Sequence, residues 1–262
     1  AIYDLAYEAR LPDEVGQRLE YTGYFDQRFR LLFQKESDRA LLSTIGLEDT
    51  PYALCMVGGG EDGLRLAENF ARAEPPGDMH RLIILGPYMP LQARSKLYDL
   101  AAKRADFHVL DFVCEPTTLV ASAERIISMG GYCTFSEIVS FEKPGLIVPR
   151  VYPRQEQLIR AKCFARHGLV DYLPPEQLNP SALTTWLHEE TSAGAHARSR
   201  LDLQGTSKLP SMAQTLLENR VEEKTGPPSK EDKAAAKPGL KIIDGRKNNP
   251  STSSEPFHQE GV

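Results

Sequence analysis

The sequence predicts an α/β fold: a doubly wound parallel sheet, Rossmann-like, with a disordered carboxyl-terminal tail. Three observations predict it. Six short runs rich in Val, Ile and Leu recur between Tyr52 and Leu173. Stretches of helical period separate them. The runs are apolar throughout rather than alternating, which marks strands covered on both faces, and right-handed crossovers between such strands wind helices onto both sides.

The first 45 residues do not share this rhythm. Leu-Pro and Thr-Gly-Tyr punctuate ARLPDEVGQRLEYTGYFDQRF, so 1–45 reads as a lead-in segment, with a possible helix over Lys35–Ile45. Residues 46–205 form the Rossmann-like domain. Its strands are YALCMV (52–57), RLIIL (81–85), FHVLDF (107–112), RIISM (125–129), GLIVP (145–149) and a weaker LVDYL (169–173). Helices are expected at Asp62–Arg72, Leu91–Lys103, Thr117–Ala123, Tyr132–Phe141, Gln155–His167 and Pro175–Glu190. LPSMAQTLLEN predicts a final amphipathic helix within 206–220. From 221 to 262 Lys, Glu, Pro, Ser and Asn dominate, and so polar a segment buries too little apolar surface to offset its chain entropy. Its apolar island Leu240-Lys241-Ile242-Ile243 reads as a stray patch before it reads as a docking motif.

Composition excludes several classes. With 31 basic against 36 acidic residues and a formal charge of -5, the chain lacks the concentrated positive field that nucleic acid requires. No apolar run approaches the ~20 residues that span a bilayer, and no signal sequence opens the chain. The expected location is cytoplasmic, at most peripheral to the inner face of the membrane. Cys55, Cys114, Cys133 and Cys163 show no C-x-x-C pair or metal-ligand spacing and read as reduced, mostly buried thiols. Neither a metal nor a cofactor is expected.

Ligands of an open parallel sheet bind beyond the carboxyl ends of its strands, so the residues after each strand carry the function. Gly58-Gly59-Gly60-Glu61-Asp62-Gly63 follows the first strand and matches G-x-G-x-x-G, which aims backbone N–H groups at a phosphate or simply makes a tight turn. An NAD reading is weakened because the second strand ends Leu85-Gly86-Pro87, without the ribose-binding acid. Glu61 and Asp62 would also repel a pyrophosphate unless they point outward. A P-loop is excluded by the absence of Gly-Lys-Ser/Thr. After the fourth strand, Gly130-Gly131-Tyr132-Cys133-Thr134 opens a second helix towards the same crevice, and two converging helix ends suit a diphosphate. Glu137 fits two roles equally: closing a Thr134-x-x-Glu137 capping box, or accepting hydrogen bonds from ribose hydroxyls. In PRVYPRQEQ after the fifth strand, Glu156 and Gln157 suit sugar hydroxyls and Arg150 or Arg154 a phosphate, although such residues are also common in a first helical turn. Main chain at Phe112-Val113 can pair with a base edge. None of the six histidines follows a strand into the crevice, so none is a candidate general base, and no G-x-S-x-G elbow is present. Trp186 reads as helix packing.

The stretch from LDFV through ASAERIISMGGYCTFSEIVSFEKPGLIVPRVYPRQEQLIRAKCFARHGLVDYL resembles the carboxyl-terminal, donor-binding domain of GT-B glycosyltransferases of the family-28 type, the MurG-like group. Its most specific element is Gly-Gly-x-x-Thr-x-x-Glu, followed by x-Pro and the Glu-Gln helix start. The resemblance implies a donor site for a UDP-sugar. Gly58, Gly59 and Gly60 would lie near the phosphate and acceptor cleft, and Val113 would hold the uracil through main chain. Gly130 and Gly131 would let Tyr132, Cys133 and Thr134 offer N–H groups to the diphosphate, with Arg154 as an added charge. Glu137 would bind the ribose, and Glu156 with Gln157 the sugar. It further implies an inverting transfer of a hexose, N-acetylglucosamine above others, to an acceptor hydroxyl. Glu156, where the group often has Gln, bears on which sugar is carried. GT-B enzymes place the acceptor site and general base in an amino-terminal domain. Here only a lead-in precedes the first strand, and LEYTGYF (19–25) resembles the segment after the interdomain crossover. The chain is therefore expected to be a donor-binding half that needs an amino-terminal acceptor-binding domain or partner subunit, through which it would meet a membrane. A non-catalytic nucleotide-sugar-binding subunit and a GT-B-like UDP-sugar epimerase fragment are the alternatives.

Overall fold

The computed structural model describes residues 2–225. Residues 226–262, which hold most of the expected disordered tail, the Leu240–Ile243 run and His258, lie outside the described residues. The chain divides into two units, one through Thr215 and a second from Leu216. The first contains every strand and the crevice.

All six expected strands form: β1 Tyr52–Met56, β2 His80–Ile84, β3 Phe107–Leu110, β4 Arg125–Ser128, β5 Gly145–Ile147 and β6 Asp171–Tyr172. They pair in parallel in the order β3-β2-β1-β4-β5-β6. The apolar strands feed two cores because their side chains alternate across the sheet. Tyr52, Leu54, Leu82, Ile126 and Ile147 join one apolar cluster, whereas Ala53, Cys55, Ile83, Ile127 and Leu146 join the other. Burial on both faces is why these strands carry no polar alternation. The order reverses at β1: β2 and β3 lie to one side, and β4 starts the other. That switch point opens a crevice between the loops after β1 and β4.

Helices connect the strands: α5 Leu64–Arg72, α6 Leu91–Ala101, α7 Thr117–Ser122, α8 Tyr132–Ser140 and α9 Glu156–Arg166. The expected Pro175–Glu190 helix is broken. A short 3-10 turn covers Pro175–Gln177, and α10 (Pro180–His188) starts afresh where Asn179 Oδ1 accepts from Ala182 N at 2.9 Å. Asn179 and Pro180 are a strong N-cap and first helical residue, so the restart is local chemistry. Trp186 is buried; its indole N–H donates to Asp171 Oδ2 at 2.8 Å and the Arg125 guanidinium lies over its ring, a packing role as expected.

The lead-in segment folds as short turns: α1 Leu5–Glu8, α2 Asp13–Gly16, a 3-10 segment Gln27–Phe33, α3 Glu36–Arg39 and α4 Leu41–Thr44. The single helix expected over Lys35–Ile45 is divided at Ala40. After α10 come α11 (Ala197–Arg200) and α12 (Gly205–Thr225). The expected boundary at 220/221 falls inside α12, because Val221-Glu222-Glu223-Lys224 contains good helix formers and continues it. No helix among the described residues is long and apolar enough to cross a membrane. Cys55 and Cys163 are buried, and burial pushes both thiols up from their ordinary pKa. Cys114 and Cys133 are exposed, contrary to the expectation of mostly buried thiols: one follows β3 and the other lies in the first turn of α8, where no described residue covers them.

Candidate functional site

The crevice at the switch point is a cavity of about 170 Å³ lined by Gly58, Gly59, Gly60, Gly131, Thr134 and Gln157, together with Met56, Val57, Glu61, Asp62, Tyr88, Met129 and Arg150. The structure thus joins the glycine loop after β1, the entry to α8 and the start of α9.

The glycines serve different ends. Gly60 has φ +93°, and a Cβ there would stand 2.4 Å from the Leu85 carbonyl oxygen. This glycine lets the β1 loop pack against the β2 loop, where Tyr88 N donates to Gly59 O at 2.8 Å. The tight-turn reading therefore accounts for part of the G-x-G-x-x-G pattern. Gly131 differs. Its φ of -55° suits any residue, and a Cβ there would meet no atom within 4 Å beyond its own chain neighbours. Neither backbone strain nor packing demands glycine at this position, and the space beside it is open.

Gly131 is the N-cap of α8 and carries no side chain to cap the helix. The first bond into the helix runs from Phe135 N to Gly131 O, so the N–H groups of Tyr132, Cys133 and Thr134 have no acceptor among the described residues. Three unpaired donors at the positive end of a helix favour an anion. Arg160 Nη1 donates to Gly130 O at 2.9 Å and its guanidinium lies over the Tyr132 ring, bracing the turn from outside.

The sequence offered Arg150 or Arg154 as a cation and settled on Arg154; the structure places Arg150 in the cavity wall and leaves Arg154 exposed and outside it. Arg150 Nη1 pairs with Asp62 at 2.7 Å, and its backbone N donates to Gln157 Oε1 at 3.0 Å. Its Nε is buried without a partner among the described residues. This pairing answers the repulsion expected from Asp62, whose charge is held by Arg150. Gln157 meanwhile spends one oxygen on fixing the β5 loop. Glu156, exposed at the first position of α9, does not line the cavity. Tyr132 and Cys133 also lie outside its lining, although their N–H groups point from the helix end that borders it. Tyr88 lines the cavity and was missed; its position just after β2, in LGPYMP, was the available signal.

Glu137 lies one turn deeper along α8 and outside this cavity. The capping-box reading fails because the N-cap is Gly131, three residues before Thr134. The carboxyl is instead buried, 3% exposed, and Arg30 of the lead-in segment pairs with its Oε1 at 2.8 Å. Burial raises its pKa above the usual carboxylate value; Arg30 opposes that rise and Glu115 adds to it. Val113 is half-buried after β3, with no hydrogen-bond partner for its main chain among the described residues. His80 and His108 stack with Nδ1 and Nε2 2.9 Å apart, and His80 opens β2 at the end of the strand opposite the crevice.

Comparison with known proteins agrees with this architecture. Residues 54–216 match the glycosyltransferase family 28 C-terminal domain. The UDP-N-acetylglucosamine–N-acetylmuramyl-(pentapeptide) pyrophosphoryl-undecaprenol N-acetylglucosamine transferase of Caldicellulosiruptor saccharolyticus is 26% identical over 169 residues, 61% of this chain and 44% of that protein. Acinetobacter baumannii MurG superposes with a TM-score of 0.52 at 22% identity, covering 66% of this chain and 52% of that one. The calicheamicin glycosyltransferase CalG4 gives a TM-score of 0.49 at 18% identity, over 68% and 45% of the two chains. The chain thus spans less than half the length of the curated relative. The family match covers both glycine loops, β4, α8 and the start of α9, the segments that build the crevice, and the chain belongs to the glycosyltransferase family 28 C-terminal domain family.

Proposed function

We propose that this chain is the donor-binding half of an inverting glycosyltransferase that moves a hexose, N-acetylglucosamine above others, from a UDP-sugar to an acceptor hydroxyl. The observation that carries the reading is the uncapped start of α8. Three N–H groups lack acceptors there among the described residues, and the protein's own packing leaves open space beside Gly131. A diphosphate placed there receives backbone hydrogen bonds and the helix dipole. Arg150, across the cavity, adds a guanidinium that is shared with Asp62 through Nη1 and whose buried Nε has no partner among the described residues. The main chain at Val113, without a hydrogen-bond partner among the described residues, suits the uracil, and Glu137 the ribose diol. Tyr132, Cys133 and Thr134 are assigned to the diphosphate and Gln157 to the sugar, with Glu156 reaching the sugar only from outside the cavity.

In the reaction the acceptor oxygen attacks the anomeric carbon as the bond to the diphosphate oxygen breaks, inverting that carbon. Negative charge gathers on the departing diphosphate, where preorganised N–H dipoles stabilise it more than they stabilise the intact donor. The acceptor proton passes to a base assigned to an amino-terminal acceptor-binding domain or partner subunit. Backbone dipoles and Arg150 meet the leaving charge, so the proposal needs neither metal nor cofactor.

Calorimetry of this chain with UDP, UDP-N-acetylglucosamine and NAD tests the reading. The two uridine ligands are expected to bind and NAD is not. A folded chain without affinity for UDP would overturn it.

A further inference from the structure

We propose that Arg30, contributed by the lead-in segment, is a positioning residue that holds the Glu137 carboxylate in the orientation that receives the ribose diol and so sets selectivity for ribose in the donor. The inference rests on the donor reading given above and adds to it a residue outside the parallel-sheet domain.

Arg30 forms a fork between two carboxylates. Its Nη1 reaches Glu137 Oε1 at 2.8 Å, while Nε and Nη2 reach Glu115 Oε2 at 3.1 and 3.0 Å. A planar guanidinium bound at both ends fixes direction as well as charge. Glu115 is itself held by the Thr117 hydroxyl and by Thr117 N at 3.1 Å. The Glu137 side chain is 4% exposed, yet only Oε1 has a partner among the described residues. Its second oxygen remains for a ligand. Two carboxylates against one guanidinium leave the cluster with an excess negative charge, and hydroxyl donors suit it better than another anion.

The segment that carries Arg30 is anchored independently of it. Gln27 N donates to Ser140 Oγ at 3.0 Å, Thr118 Oγ1 donates to Gln34 Oε1 at 2.8 Å, and Asp26 pairs with Arg198 at 3.0 Å. Removing the Arg30 side chain therefore leaves the segment docked on α7 and α8 while freeing Glu137 to rotate.

The test compares UDP with 2′,3′-dideoxyuridine diphosphate, which lacks the diol, by calorimetry on wild type, Arg30→Ala, Arg30→Lys and Glu115→Gln. Wild-type binding of UDP is measured first; its absence from a folded chain defeats the donor reading itself. Given binding, Arg30→Ala is expected to weaken UDP about tenfold, the size of one charge-assisted hydrogen bond, and to leave dideoxy-UDP affinity unchanged. Arg30→Lys keeps the charge without the fork and is expected to restore part of the loss. Glu115→Gln, which leaves Arg30 in place with a weaker anchor, is expected to lose less than Arg30→Ala and again only for UDP. Equal losses for both ligands in the folded variants would reduce Arg30 to a structural role and overturn the proposal. Tighter UDP binding by Arg30→Ala would make Arg30 a competitor for the ribose and overturn it as well.

Discussion

Replacing Gly131 by Ala separates a ligand-binding glycine from a structural one. At φ -55° and ψ 151° alanine fits without strain, and the added methyl meets no described atom within 4 Å beyond its own chain neighbours. Restricting the unfolded chain stabilises the variant by about 0.4–1 kcal/mol. Alanine is a poorer N-cap than glycine, by roughly 0.5–1 kcal/mol. The two terms oppose, so net stability should stay within about 0.5 kcal/mol of wild type. On the proposed diphosphate position, the methyl would enter the open space at Gly131 and hold a phosphate away from the Tyr132, Cys133 and Thr134 amides. Losing one or two hydrogen bonds to a charged group costs about 1.5–3 kcal/mol, a ten- to hundredfold weaker affinity. Titration calorimetry with UDP and thermal unfolding of the free chain measure both sides. Unchanged UDP affinity would refute the diphosphate position, and a collapse in melting temperature would show that the glycine serves the fold. Gly60→Ala is the control: at φ +93°, with a carbonyl oxygen 2.4 Å from the new Cβ, it should destabilise the free chain by about 1–3 kcal/mol.

Glu137, with Arg30 facing it from the 3-10 segment and Glu115 from the turn before α7, has a pKa raised by burial. Such a carboxyl is tolerated better protonated, so its contribution to stability is fully present below the unfolded value and is lost as pH rises through the folded one. UDP binding through the carboxylate has the opposite trend: affinity is expected to fall as pH drops through the raised pKa, whereas Glu137→Gln should bind more weakly at pH 7.5 and lack that component of the pH profile. Superimposable wild-type and variant profiles would remove Glu137 from the site. Asp106→Ala strips the fully buried Arg81 of its carboxylate at 2.6 Å and leaves it the Ala71 and Ala73 carbonyls. A loss of about 3 kcal/mol in urea unfolding is expected, and one below about 1 kcal/mol would show that the carbonyls suffice.

Some of the crevice was legible because its signals are local. Gly58–Gly60 and Gly130–Gly131 were found by their position after apolar strands, and the structure brings both loops to one crevice because β1 and β4 are adjacent. The Thr134–Glu137 spacing misled in one of its two readings: a capping box needs Thr134 at the helix start, yet α8 begins straight after Gly131. Arg154 was preferred to Arg150 along the chain, although both sit in the same loop of PRVYPRQ. The contact with Asp62, 88 residues earlier, is what places Arg150 rather than Arg154 in the crevice wall.

By itself the sequence determined the strands, the parallel sheet and the glycine loops that follow them, because periodicity and turn chemistry are properties of neighbouring residues. Tertiary structure alone decided which charges meet. Arg30 and Glu137 are 107 residues apart, and nothing in the local pattern of either announces the other. A buried carboxylate takes whatever cation the folded chain brings to it, and packing of the lead-in segment on α7 and α8 brings Arg30.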